Sequence, residues 1–320
     1  MKKAALITGG AGFIGSNLIK SLSDKFEHII CIDNLSRGKK EYLNKLNNLI
    51  FIQEDLSDYK IISKSVQDLQ REMKIEEIWH MVANSDIPSG VADSEVDLKD
   101  TFLTTYSLCK TFDKCPPNKF IFASSSAVYG DMGEKMINEN SSPLFPISNY
   151  GSMKLASEAL LSSWVEKHPT QLVIFRFPNV VGTPATHGVI YDFLKRLKQQ
   201  NKYLKVLGNG LQKKPYLLCD DLIEIMIFLK NTHDKKRDIF NIGPSDEGVF
   251  VKDIAKIACE IAGDPSTVIK FEKEDRGWIG DVPRFKYDTS KLYSNGWEKE
   301  LSSLTAIKIA AKQIYKQLSD

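Results

Sequence analysis

Cysteine is scarce in this chain of 320 residues. The five present, Cys31, Cys109, Cys115, Cys219 and Cys259, are odd in number, scattered and never spaced Cys-x-x-Cys, which argues against a disulfide framework or a zinc site. The five histidines, His28, His80, His168, His187 and His233, are equally dispersed, and no metal is expected. A surplus of charge is also missing: 43 Lys and Arg stand against 41 Asp and Glu, so nothing provides the one-sided field that nucleic acid or an anionic membrane favours. A small-molecule partner is expected instead. No apolar run approaches the roughly 20 residues that span a bilayer. Glycines cut the opening Met-Lys-Lys-Ala-Ala-Leu-Ile-Thr-Gly-Gly short of a signal-peptide core, and the expected compartment is the cytoplasm. Internal repeats and low-complexity tracts are likewise missing. What remains is an ordinary globular composition, 42% hydrophobic and 26% charged, able to bury one large core or two smaller ones.

Short apolar, β-rich runs at 4–8, 29–33, 49–55, 77–83, 119–125 and 172–177 alternate with helix-compatible segments near 12–23, 59–71, 96–114 and 150–167. This alternation predicts an α/β fold, a doubly wound parallel sheet with right-handed crossovers and helices on both faces. After Gly182 the regularity fades into a Gly/Pro/Thr stretch, a helix near 189–200, a strand near 205–207 and mixed elements up to a helix near 304–318. The expected organisation is a Rossmann domain of residues 1–182 plus about 215–243, and a smaller mixed α/β C-terminal substrate lobe of 183–214 and 244–320.

The run Thr8-Gly9-Gly10-Ala11-Gly12-Phe13-Ile14-Gly15 follows the first strand and opens the first helix, the context that gives a glycine pattern meaning. Gly9 and Gly12 permit a tight turn and close backbone approach to a pyrophosphate, Gly15 lets the helix pack on the sheet, and the helix N-terminus favours negative charge. Asp33 closes the second strand near the offset at which a carboxylate accepts from the adenosine ribose hydroxyls. That carboxylate would repel a 2′-phosphate, which favours NAD over NADP, although Arg37 stands nearby. The plainer reading is a glycine-rich turn without a ligand.

Tyr150-Gly-Ser-Met-Lys154 places a phenol and an ammonium at i and i+4 on one helix face. It follows, one strand-helix unit on, the strand end Ala123-Ser124-Ser125-Ser126-Ala127-Val128-Tyr129-Gly130. Together with the glycine run, these residues resemble the extended short-chain dehydrogenases/reductases, in particular their NAD-dependent epimerase/dehydratase branch, over almost the whole chain. The resemblance implies that Tyr150 exchanges the substrate hydroxyl proton, that Lys154 stabilises its phenolate, and that Ser125, four residues before Tyr129, holds the reacting oxygen. A phenol of pKa near 10 must fall by about 3 units, or ~4 kcal/mol, to work at neutral pH, and an ammonium and a cationic nicotinamide in a dry site are expected to supply that. The cofactor contacts it implies are Gly9, Gly12, Phe13, Ile14, Gly15, Asp33, Asn34, the pair Asp55-Leu56, Ala83, Tyr150 and Lys154. Asp55 also reads as a simple helix cap.

Reaction type turns on the two residues after Ser125. Nucleotide-sugar 4,6-dehydratases carry Asp-Glu there and decarboxylases a Glu nearby, whereas this chain has Ser126-Ala127, neither of which is an acid or base. The resemblance therefore implies a C4-epimerase on a nucleotide sugar, a UDP-sugar above others, which oxidises C4 and returns the hydride to the other face. Dehydratase, decarboxylase and C4-dehydrogenase outcomes stay open, as does a non-catalytic NAD sensor. Substrate contacts are expected from Asn84, Ser85, Asp86 and Ser126, from Asn179 in Arg176-Phe-Pro-Asn179-Val-Val-Gly182, from Lys214 and Tyr216 in the turn after Gly208, and from Arg276. Each cation also reads as a solvated surface charge. His80 is expected to be a satisfied core residue, and Asp100, at a family Asn position, must be paired or protonated if buried. The family's dimer, a four-helix bundle, is expected here from 96–114 and 150–167.

Overall fold

The computed structural model describes residues 1–43, 46–133, 135–199, 203–263, 266–273, 282 and 285–319. Seven strands form its main sheet: β1 (Lys2–Thr8), β2 (His28–Ile32), β3 (Leu49–Ile52), β4 (Met73–His80), β5 (Lys119–Ser125), β6 (Gln171–Phe177) and β7 (Arg237–Asn241). Their spatial order is β7-β6-β5-β4-β1-β2-β3, the reversal beside β1 being the switch point at which doubly wound sheets bind ligands. The pairings β1–β2, β2–β3, β1–β4 and β4–β5 are parallel. Near-continuous burial of Ala4, Ala5, Leu6 and Ile7 on β1 and of Ile29, Ile30, Cys31 and Ile32 on β2 reflects a sheet covered on both faces.

The helices that matter for the site are α1 (Phe13–Leu22), α2 (Tyr59–Gln70), α3 (Ile87–Ala92), α4 (Ser94–Asp97), α5 (Thr104–Thr111) and α6 (Asn149–Glu166). The single helix expected over 96–114 is broken: residues Leu98–Leu103, between α4 and α5, form a π-helical insert. Threonines explain part of this, since Thr104 and Thr105 donate their hydroxyls to the Thr101 carbonyl at 2.9 and 3.2 Å and compete with the regular ladder. β4 starts at Met73, four residues earlier than its apolar run, because it pairs with the full length of β1.

The chain divides into two compact units. The first comprises 1–128, 145–176 and 226–240, and the second 129–144, 177–225 and 241–320. The first has a core of sheet and helix side chains that includes Leu6, Ile30, Phe120, Phe122, Leu161 and Ile174. The second is built on α7 (Val189–Lys198), α9 (Val251–Ile261) and α11 (Ser303–Gln317), whose Leu194, Ala255, Ile307 and Ala311 are buried together. α8 (Cys219–Thr232) runs from the second unit into the first, and α10 (Ser290–Ser294) lies in the second. Two-stranded pairings edge the second unit, including Tyr216–Leu218 against Asn179–Val181. Among the described residues no helix is long and apolar enough to cross a membrane, and no three His, Cys, Asp or Glu side chains are placed to hold a metal.

Candidate active site

The glycine turn is stereochemically forced. Gly9 lies at φ +67°, and a Cβ on Gly15 would sit 2.2 Å from the Gly9 carbonyl oxygen. α1 can start this close to β1 only without a side chain there. Its first turn carries no side-chain cap, so the helix's positive end is left to a ligand or solvent. Asp33, 6% exposed, closes the far side: Oδ2 accepts from the Ala11 N–H at 3.0 Å and Oδ1 from the Leu35 N–H at 2.8 Å. Burial pushes its carboxyl above the usual range, while those two amides pull it back. Each oxygen keeps a second lone pair, so this pair of acceptors fits a ribose diol beside a pyrophosphate turn, as NAD requires. Arg37 is held by Asp86 at 3.4 Å, and Asn34 Oδ1 accepts from the Ser36 N–H.

Asp55 is already engaged. Ser57 donates to its Oδ1 through both N–H and Oγ, and Lys99 reaches its Oδ2 at 2.9 Å. Burial raises this carboxyl, but the Lys99 and Ser57 contacts outweigh it and leave it below the usual range. Leu56 beside it is buried in the core. Ala83 follows the end of β4 and is partly exposed.

The structure brings Ser125, Tyr150 and Lys154 together. Ser125 ends β5, accepts from the Ala127 N–H at 3.2 Å and hydrogen-bonds the Tyr150 phenol. Ser148 caps α6 by accepting from the Gly151 N–H, and Asn149 Nδ2 donates to the Gly90 carbonyl at 2.8 Å, so the turn bearing Tyr150 is tied at two points. One turn on, Lys154 is 2% exposed; its Nζ donates to the Ala123 carbonyl at 2.6 Å and lies 5.9 Å from the Tyr150 ring centre. Desolvation dominates both groups. It pushes the phenol up to about 12, against the pull of Ser125 and with a push from Asp97, and brings Lys154 down to about 7 although Glu158 supports its charge. The expected lowering of the phenol is therefore not met by Lys154 alone.

The residues expected at the substrate differ in how far they are already engaged. Asn84 is 1% exposed and fully committed: Nδ2 donates to the Asp86 carbonyl and to Asp97 Oδ1, and Oδ1 accepts from the Asp86 N–H. These bonds brace the loop between β4 and α3. Asp86 caps α3 and pairs with Arg37, while Ser85 is exposed and Ser126, opening a 3-10 turn, is partly so. In the second unit Asn179 is exposed, Lys214 is half-buried on a short strand, and Tyr216 is buried with its N–H on Ser303 Oγ. Arg276 lies outside the described residues. His80 is a core residue as expected, bonded to Thr8 at 2.8 Å and Thr105 at 2.9 Å, and burial followed by the Lys154 charge keeps its ring neutral. Asp100 is partly buried and its carboxyl raised, burial being the main cause.

Two charged groups went unassigned by the motifs. Glu158 accepts from Arg176 at 3.0 and 2.6 Å and from the hydroxyl of Ser124, all three being buried. Its signal was present, since Tyr150, Lys154 and Glu158 follow each other at i+4. Asp97, 0% exposed, has Oδ2 without a partner and close against Gly90, where a Cβ would lie 1.8 Å from it.

Known proteins match this arrangement along the chain. The model of the NAD dependent epimerase/dehydratase family matches residues 5–243. A putative UDP-glucose 4-epimerase of Methanocaldococcus jannaschii is 28% identical over 309 residues, 95% of each chain. Human dTDP-D-glucose 4,6-dehydratase is 29% identical over 320 residues, 96% of this chain and 88% of its own. The crystal structure of a UDP-glucose 4-epimerase from Thermotoga maritima, with UDP-glucose, matches at a TM-score of 0.84 and 27% identity over 98% of this chain and 99% of its own. With a glycine turn and buried Asp33 that fit the dinucleotide, the chain belongs to the NAD-dependent epimerase/dehydratase family, as an extended short-chain dehydrogenase/reductase that uses NAD.

Proposed function

We propose that the protein is a nucleotide-sugar C4-epimerase, with a UDP-sugar as substrate. One observation supports this reading over the dehydratase: Ser125 is followed by Ser126 and Ala127, and neither of these side chains is an acid or base that could expel a hydroxyl. The two acids whose fields reach the Ser125–Tyr150–Lys154 group are buried and bonded elsewhere, Asp97 to Asn84 and Glu158 to Arg176. The UDP preference is drawn from the relatives, several of which are UDP-glucose 4-epimerases.

Tyr150 takes the proton of the C4 hydroxyl and later returns one to the same oxygen, Ser125 holds that oxygen, and Lys154 stabilises the phenolate from one helical turn away. Bound NAD would supply the hydride acceptor and donor at C4 and a positive ring beside the phenol. Bringing a phenol from about 12 to neutrality takes roughly 5 units, ~7 kcal/mol, so the side chains present leave most of that work to charge arriving with the ligands. The first unit takes the dinucleotide through the glycine turn and Asp33; residues 183–214 and 244–320 form the sugar-nucleotide lobe, with Lys214 from that lobe and Asn179 from the stretch before it as ligands. A homodimer through 96–114 and 150–167 belongs to the same proposal and is checked by sedimentation; Leu98 and Tyr106, 41% and 42% exposed, offer apolar surface for it.

The test is incubation with a panel of UDP-hexoses and UDP-hexuronates followed by anomeric proton NMR. Interconversion of one C4 pair is expected; a 4-keto-6-deoxy product or released carbon dioxide would assign the scaffold to the dehydratase or decarboxylase instead.

A further inference from the structure

The buried carboxylate of Glu158 has no part in the proton transfer, yet it touches every strand and helix that carries the catalytic group. It projects from α6 one turn beyond Lys154. Its Oε1 accepts from the hydroxyl of Ser124, the residue before Ser125 on β5, and from Arg176 Nε on β6 at 3.0 Å, while Oε2 accepts from Arg176 Nη2 at 2.6 Å. Glu158 and Arg176 are 5% and 3% exposed. A buried ion pair of this kind is weak evidence for stability, because desolvation offsets most of its attraction. We infer that Glu158, clamped by Arg176, is a positioning residue of the reaction: it fixes the Ser125 end of β5 to the Tyr150–Lys154 face of α6 and keeps the Lys154 ammonium charged. This rests on the epimerase reading only in its activity readout.

The surroundings of Lys154 leave Glu158 as its compensating charge. On α6 it has Tyr150 on one side and Glu158 on the other. β5 presents the Ala123 carbonyl and the face of Phe122, 4.8 Å from Nζ, and β4 presents His80, which is neutral. β6 contributes Arg176, whose charge Glu158 itself holds, and Asp97 on α4 acts on Tyr150. Without the carboxylate, a fully buried ammonium with one carbonyl partner loses its proton more readily. Lys154 already sits at about 7, with Glu158 the one charge that raises it, so a further fall empties it at neutral pH.

The experiment compares the protein with Glu158→Gln and with the charge-neutral pair Glu158→Gln/Arg176→Met, each with NAD added. Lys154 is titrated by NMR of 13Cε-labelled lysine, assigned with Lys154→Met, and the pH profile of turnover on a UDP-hexose is recorded beside it. Glu158→Gln should lower the melting temperature by stranding Arg176, and the pair should regain much of it. Both should titrate Lys154 lower by about one unit or more, a tenfold weaker hold on the proton, and turnover should fall off at correspondingly lower pH. The midpoint is read on both variants, so a folding loss in one leaves the other. An unchanged midpoint and pH profile in the folded pair would overturn the proposal and leave Glu158 a structural brace. A lowered midpoint in a protein with no turnover on any UDP-hexose would uphold the positioning role and overturn the epimerase reading alone.

Discussion

At Tyr150 two fields oppose each other. The protein packed around the phenol and the carboxylate of Asp97 raise its pKa, and the Ser125 hydrogen bond lowers it. Removing the phenolic oxygen tests the assignment of the base: Tyr150→Phe should abolish turnover while NAD still binds, as followed by cofactor fluorescence, and retained turnover would refute it. Asp97 tests the field. Its carboxyl is pushed up by burial, with Asn84 opposing and Asp100 and Asp86 adding to the rise. Asp97→Asn replaces a potential negative charge by a neutral group of the same shape, which lowers the Tyr150 pKa and makes phenolate available at lower pH. The acid limb of the turnover profile should therefore move down by a fraction of a pH unit to about one unit. An acid limb that moves upward would contradict the assignment.

At the scale of elements, β1, the glycine turn and α1 act as one piece. Gly15→Ala drives a methyl into the Gly9 carbonyl region. Urea melts should show a loss of about 1–3 kcal/mol, and NAD affinity should fall at least about tenfold as the turn opens. This piece was legible in the sequence because all of it is local: a strand, three glycines at fixed spacing and a helix start lie within residues 2–22. The order of strand and helix segments was equally legible from hydrophobic periodicity. The π-helical insert at Leu98–Leu103 was not, since a continuous helical pattern carries no mark of hydroxyls that back-bond to Thr101. Nor was the fate of Asn84, whose amide is consumed by Asp86 and Asp97, the latter 13 residues on. The i, i+4, i+8 series from Tyr150 to Glu158 was visible, but its partner Arg176 comes from another element, and only the fold joins them.

Over the whole molecule, the cost of keeping a lysine in the core should appear as a pH dependence of stability. Lys154 holds its proton more weakly in the folded chain, at about 7, than a free lysine at 10.5, so the unfolded chain binds more protons above pH 7 and stability rises with pH there. The window closes near pH 9, because the thiols of Cys31 and Cys109 are pushed by burial up to about 12 and the unfolded chain then releases protons first. Between pH 7 and 8.5, stability from urea melts should gain ~2 kcal/mol, and Lys154→Met should flatten that gain. An equal rise in the variant would place the titrating group elsewhere.

The central claim is that the hydride taken from C4 goes back to C4. A UDP-hexose carrying deuterium at C4 tests it directly, with the product examined by NMR and mass spectrometry. The account predicts the C4 epimer with deuterium retained at C4 and no accumulation of NADH. Deuterium found at C6, or held in reduced cofactor beside an oxidised sugar, would contradict it.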